Sequence, residues 1–286
     1  MTSETSLSTS SNPIEYLVIG HVTRDLTPHG AVLGGTVSYA ALTAAALGLN
    51  VGMVTSCSED FHPEQLAAMK KIVIPASETT TFENVYKSKG RIQRIHHRAA
   101  LLKARHIPAL WRNCPLVHLG PVANEIDPSI AELFSSAVIG VTPQGWMRDW
   151  DKSGNVHFKQ WRDPEKVLQF ASATVLSIED VQHDENEIER LAQFSKVLVV
   201  TEGAAGARVY WNGDVRRIRP PQVEEVDSTG AGDIFATAFF IRFSQTRDPW
   251  AAAEFATKLA AESVTRKGVA GIPTTIEIQK NLIEIL

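Results

Sequence analysis

Asp227-Ser228-Thr229-Gly230-Ala231-Gly232-Asp233 runs directly into a largely apolar stretch from Ile234 to Phe243. Gly230, Ala231 and Gly232 leave their backbone N–H groups uncovered, and the apolar run predicts a buried helix behind them. A helix start carries orphan amide donors and the positive end of the macrodipole, so it binds anions. A carboxylate at Asp233 would repel a phosphate that only rested there. As a base taking the proton from a hydroxyl that attacks phosphorus, it belongs. The plain alternative is an Asp that only caps its helix, a role worth about 1 kcal/mol.

Other stretches carry weaker signals. Asp25 stands just past the strand Tyr16–Gly20, where open α/β sheets place their ligands. It reads equally well as a turn residue or as an acceptor for substrate hydroxyls. Gly34-Gly35 precedes a small-residue helix, Val37 to Leu47, closed by Gly48, and marks a turn, a hinge or a ligand contact. Thr201-Glu202-Gly203-Ala204-Ala205-Gly206 follows a Val/Leu strand and by itself reads as a turn. Ser177-Ile178-Glu179-Asp180 fits a Ser-capped helix start as well as it fits the oxygen-rich, hydrated site magnesium prefers. His96 and His97 are strand neighbours facing opposite ways, which argues against a metal pair. Hydrolase, dehydrogenase and Walker-type chemistry find no footing. The chain has no Gly-x-Ser-x-Gly elbow and no Gly-Lys-Ser/Thr run, and Gly20 to Asp25 holds a single glycine.

The string Asp227 to Asp233 resembles the signature of the ribokinase-like (PfkB) carbohydrate kinases, Asp-Thr-x-Gly-Ala-Gly-Asp, with Ser228 in second position. The resemblance implies a three-layer α/β sandwich with a mostly parallel central sheet and a small, reduced β lid. It implies Asp233 as catalytic base, with Gly230, Ala231 and Gly232 as the anion hole. Asp25, Gly34, Gly35 and Ser38 would hold the substrate; Ser38-Tyr39 stands where the family often has Asn. Thr201, Gly203 and Gly206 would line ATP, while Ser177 and Asp180 replace the ends of the family's Asn-x-x-Glu and would organise Mg2+. Asp227 would shape a monovalent-cation site for an ion such as K+, against the alternative of a structural Asp. The substrate implied is a sugar or polyol, with myo-inositol suggested by Ser38-Tyr39, the short lead to Gly34 and Gly120-Pro121-Val122. A nucleoside kinase and a non-catalytic sensor of the same fold stay open, as does a homodimer. With the helix end keeping Asp233 ionised, little pKa shift is expected.

These residues need an ordered scaffold. Strands alternate with helices, as a helix-covered parallel sheet requires. The expected strands include 51–55, 116–119, 138–142, 174–178 and 196–201, with helices at Phe61 to Lys71 (capped by Asp60), Pro128 to Ser135 and Trp250 to Arg266. A hairpin is expected at about 80–98 as the lid, and another around Asn212-Gly213. The Trp-rich stretch 144–161 reads as an irregular loop packed by its own aromatics. Residues 1–12, mostly Ser and Thr, read as a disordered tail before a single domain, 13–286. A net charge of −4 gives no electrostatic footprint for nucleic acid or an anionic membrane, and two distant cysteines suggest free thiols. With no apolar run near ~18 residues and no signal-peptide pattern, a cytoplasmic protein is expected.

Overall fold

The structure is a computed structural model describing residues 13–87 and 90–283; the tail expected at 1–12 lies outside the described residues. The first half comprises β1 (Tyr16–Ile19), β2 (Thr23–Thr27), β3 (Gly30–Gly34), α1 (Thr36–Ala46), β4 (Val51–Cys57), β5 (Lys70–Pro75), β6 (Thr81–Lys87), β7 (Gly90–His97), β8 (Leu116–Leu119) and β9 (Val138–Val141). The second half continues with β10 (Arg148–Trp150), β11 (Val156–Phe158), α2 (Glu165–Leu168), β12 (Ala173–Ser177), α3 (Glu185–Phe194), β13 (Val197–Thr201), β14 (Ala207–Trp211), β15 (Asp214–Ile218), α4 (Ala231–Thr246), α5 (Pro249–Ser263) and α6 (Thr275–Ile283).

Nine strands form the main sheet in the order β15-β14-β13-β12-β9-β8-β1-β4-β5. From β13 to β5 every pairing is parallel, and β14 and β15 close one edge antiparallel. Its central strands are buried on both faces, which is why they read as continuous apolar runs. In β1, Tyr16 and Val18 join the core with α1, α4 and α5, whereas Leu17 and Ile19 join the opposite core with Val181, Ile188 and Leu191. The period of two along the strand thus splits the molecule into three layers. α4 is buried along Ile234 to Ile241, so it shows no polar face. Its depth is fixed by Phe240, whose ring lies on Gly140 of β9 where a Cβ would collide. Beneath it, the Tyr16 hydroxyl sits 2.7 Å from His118 Nδ1 and donates to Thr237 of α4 at 3.4 Å.

A second, four-stranded sheet, β3-β2-β6-β7, forms the lid. The lid is small, as expected, but it has four strands where only the hairpin near 80–98 was foreseen. The interval from Asp25 to Gly34 was judged short; the turn at Pro28-His29 nevertheless lets β2 and β3 pair from Thr23–Gly34 to Thr27–Gly30. β2 then joins β6 in parallel, setting Asp25 beside Phe82.

The helix expected at Phe61 to Lys71 does not form. A short 3-10 turn, Glu64–Leu66, is followed by β5 at the sheet edge, paired to β4. The β-branched run Ile72-Val73-Ile74 satisfies its backbone on the exposed edge of β4, with Lys70, Lys71 and Pro75 blunting the new edge. Asp60, expected to cap that helix, instead meets Arg24 at 3.2 Å. Pro128–Phe134 winds as 3-10 turns capped by Asp127. The hairpin at Asn212-Gly213 is present, both residues taking positive φ (51° and 80°).

Candidate active site

α4 opens at Gly230, whose φ of +80° and close approach to the Tyr39 ring both exclude a side chain. Two residues on, a Cβ built at Gly232 would meet nothing within 4 Å, because that side is open cavity. The nest is held from behind by Asp227, whose Oδ1 accepts from the Thr229 amide (2.9 Å) and Oδ2 from the Gly268 amide (2.8 Å). Burial alone would raise the Asp227 carboxyl, but these hydrogen bonds outweigh it and hold it below the usual range. Its observed work is to clasp the loop before α4 to the turn after α5.

Asp233 lies in the first turn of α4 and is half-buried. It does not cap the helix, since Gly230 holds that position without a side chain. Burial pushes its carboxyl up to about 6, with the charges of Asp180 and Asp25 adding to the rise, while a hydrogen bond from Thr36 and the charge of Arg148 oppose it. This corrects the expectation of little shift. Desolvation outweighs the favourable helix end, which carries only partial charges against it.

α1 starts at Thr36 after Gly35 (φ +87°), so the first turns of α1 and α4 face each other across Asp233. Asp25 accepts from the Thr23 hydroxyl at 2.7 Å, and its carboxyl passes so close to Gly34 that any Cβ there would overlap it. Ser38 is wholly buried, and its hydroxyl donates to the Gly34 carbonyl at 2.6 Å, shaping the diglycine turn from below. Tyr39, beneath Gly230, is almost fully buried; burial first, then the charges of Asp233, Asp227 and Asp25, raise its hydroxyl well above the ordinary tyrosine value.

A cavity of about 1310 Å³ runs along the C-terminal edge of the sheet. It brings together Ser177, Asp180, Thr201, Gly203, Gly206, Ala231 and Gly232, the residues expected around the nucleotide and phosphates. Gly230 and Asp233 lie behind that lining rather than on it, and Asp25, Gly34, Gly35, Ser38 and Asp227 are not on it either. Ser177 and Asp180 form a reciprocal cap on a short 3-10 turn, with Asp180 Oδ2 accepting from the Ser177 amide at 2.9 Å. Gly206 (φ +96°) packs on the Ile218 carbonyl, and Thr201 donates to the Leu176 carbonyl at 3.3 Å.

Gln144 and Arg148 also line the cavity, and neither was singled out from the sequence. Gln144 Nε2 donates to Asp180 Oδ1 at 2.7 Å. Both residues come from the Trp-rich stretch, which is not the irregular loop expected, since β10 and β11 pair antiparallel within it, although it does pack by its own aromatics. Trp146 and Trp161 stack at 4.9 Å, and the Trp146 indole donates to the Ile126 carbonyl at 3.1 Å. The one available signal was polar side chains flanking a buried Pro143-x-Gly145-Trp146 segment directly after a parallel strand.

Residues 170–275 match the profile of the pfkB family carbohydrate kinases, a span that includes the nest, Asp233 and the Thr201 to Gly206 loop. Over that span the chain is similar to the ribokinase-like (PfkB) family, and the relatives it matches are kinases. Across 262 residues the chain is 24% identical to the cytidine kinase of Thermococcus kodakarensis, covering 82% of the chain and 90% of that protein. It is 27% identical over 252 residues to the inositol 3-kinase of Oryza sativa subsp. japonica, covering 79% of the chain and 62% of that protein. A solved pyrophosphate-dependent kinase of the ribokinase family, complexed with a pyrophosphate analogue and myo-inositol, superposes with a TM-score of 0.75 at 18% identity, over 94% of this chain and 99% of that one. Among the described residues no helix is long and apolar enough to cross a membrane.

Proposed function

We propose that this protein is a PfkB-type kinase that transfers the terminal phosphoryl group of ATP to a hydroxyl of a sugar or polyol, with inositols as the first class to test and nucleosides as the second reading. One observation carries the proposal: a half-buried carboxylate with a raised pKa, Asp233, lies between an amide nest and a second carboxylate, Asp25. Asp25 and the diglycine backbone bind the acceptor hydroxyls. The Asp233 carboxylate takes the proton of the attacking oxygen as the new O–P bond forms. The bond from phosphorus to the bridging oxygen breaks, and ADP leaves from the cavity. Gly230, Ala231 and Gly232 offer amides to the phosphate oxygens where charge accumulates. Asp180, Ser177 and Gln144 give an oxygen-rich wall suited to Mg2+, which keeps most of its waters and would neutralise phosphate charge when bound. Asp227 stays a candidate for shaping a K+ site, although both of its oxygens are engaged by amides.

ATP is favoured over pyrophosphate by the cavity's extent. Beyond the nest it continues to Thr257, Ala260, Ala261 and Val264 of the α5 region and to Pro220–Val223, an apolar slot that a bare pyrophosphate would leave empty. The test is product release from a panel of inositols, hexoses, pentoses and nucleosides, run with ATP and with pyrophosphate. An inositol or sugar turned over with ATP is expected. Turnover with pyrophosphate alone would sink the donor reading, and a strict nucleoside preference would sink the acceptor reading.

A further inference from the structure

Phosphoryl transfer here would bring an anionic group to Asp233, on which the charges of Asp180 and Asp25 already act. Bringing like charges together in a half-buried site is costly, and helix amides carry only partial charges against it. Besides Mg2+ when bound, a fixed positive charge within reach of the reacting phosphorus would offset that cost. Among the described residues, the guanidinium groups lining the cavity are those of Arg148 and Arg217. Arg217 is half-exposed and held by Glu202 at 3.2 Å, and its charge is not among those acting on Asp233.

Arg148 is placed differently. It opens β10, directly after the buried Trp146-Met147 segment, and lies on the cavity wall between the lid and the sheet. Its Nη1 donates to the Val122 carbonyl at 3.2 Å, and its guanidinium sits over the Phe82 ring of lid strand β6, 5.7 Å from the centroid. The Val122 loop is itself rigid. The fully buried Glu125 carboxylate accepts from the amides of Val122 (3.0 Å), Ala123 (2.7 Å) and His21 (3.0 Å). A carboxylate gathering several amides fixes the loop that fixes the arginine, so the guanidinium is oriented before any ligand arrives. Its charge also reaches Asp233.

We propose that Arg148 is a catalytic residue that contacts the phosphoryl group in flight, contributing charge that counts more in the transition state than in the bound ground state. The inference rests on the kinase reading above. Oxygen–phosphorus bond making and breaking are unchanged; the guanidinium donates hydrogen bonds to the equatorial oxygens, and the proton still goes to Asp233.

The experiment pairs Arg148→Ala and Arg148→Lys with the unaltered protein, each first checked for a cooperative unfolding transition. ADP-Mg2+ binding is measured calorimetrically with and without aluminium fluoride, a planar phosphoryl mimic that needs no acceptor. Unaltered protein is expected to bind ADP more tightly with the fluoride present. Arg148→Ala is expected to bind ADP as before and to lose that gain. In turnover, Arg148→Ala should lose ~10³-fold in kcat, within the range known for arginines in this chemistry. KM for ATP should be little changed, and added guanidinium ion should restore part of the rate. Arg148→Lys, which keeps charge but not the fork, should fall between. An intact fluoride gain or near-normal kcat in a folded variant overturns the inference, and Arg148→Lys alone decides it if the alanine variant does not fold. A loss confined to the acceptor's KM assigns Arg148 to lid packing and also overturns it. If the unaltered protein does not bind ADP, the donor reading fails first and takes this inference with it; normal turnover in Asp233→Asn leaves Arg148 standing.

Discussion

At the scale of the residue, Asp233 is the clearest case of environment rewriting chemistry. An isolated aspartate titrates near 3.8, and burial brings this one to about 6. A base must be ionised to accept a proton, so turnover should rise with pH through about 6 and level off above it, an acid limb that a kcat profile would locate. Asp233→Asn should lose ~10²–10⁴ of the rate. The same shift has a stability consequence. A carboxyl that holds its proton more tightly folded than unfolded opposes folding once ionised. That penalty is absent below pH 3.8, grows as pH rises towards 6, and is complete above it. Asp233→Asn should therefore be more stable than the unaltered protein at pH 8, by about 1–3 kcal/mol, and indistinguishable from it at pH 3.5. Equal urea midpoints at both pH values would contradict the shift.

At the scale of the element, the nest works because two helix starts and a tyrosine meet. Gly230 is required by its positive φ and again by the Tyr39 ring packed on it. Gly230→Ala should cost about 2–4 kcal/mol from left-handed strain and overpacking, and should raise KM for ATP as the amides turn away. Chemical denaturation and steady-state kinetics would read both effects. A variant destabilised but kinetically normal would detach the nest from the phosphates. Much at this scale was legible in the sequence: the buried α4 run, the strand pattern, the Asn212-Gly213 hairpin and the apolar face of α5. Illegible were β5 and the β2–β3 hairpin. Ile72-Val73-Ile74 is a strand only because β4 offers it an edge, and neither the length nor the composition of 25–34 announces that β6 will pair beside it.

At the scale of the whole molecule, the site divides between two bodies of structure. The residues proposed for the donor line the sheet-edge cavity, and Asp25 belongs to strand β2 of the small sheet, its charge reaching Asp233. Asp25→Asn should accordingly raise KM for the acceptor at least ~10-fold, the scale of losing a hydrogen bond to a charged group, and leave ADP binding unchanged. Parallel losses for both ligands would mean that Asp25 only braces the fold.

What the sequence by itself determined is what neighbours in the chain can specify: a glycine-framed helix start with an acid in its first turn, a run too apolar to face water, and strands at α/β spacing. Those follow from backbone geometry and period, which act over a few residues. Only the tertiary structure decided which charges surround Asp233, how far burial shifts it, and that Arg148, Thr36 and Tyr39 converge there while Gln144 reaches Asp180. Electrostatics and packing act through space, and the residues concerned are separated by most of the chain.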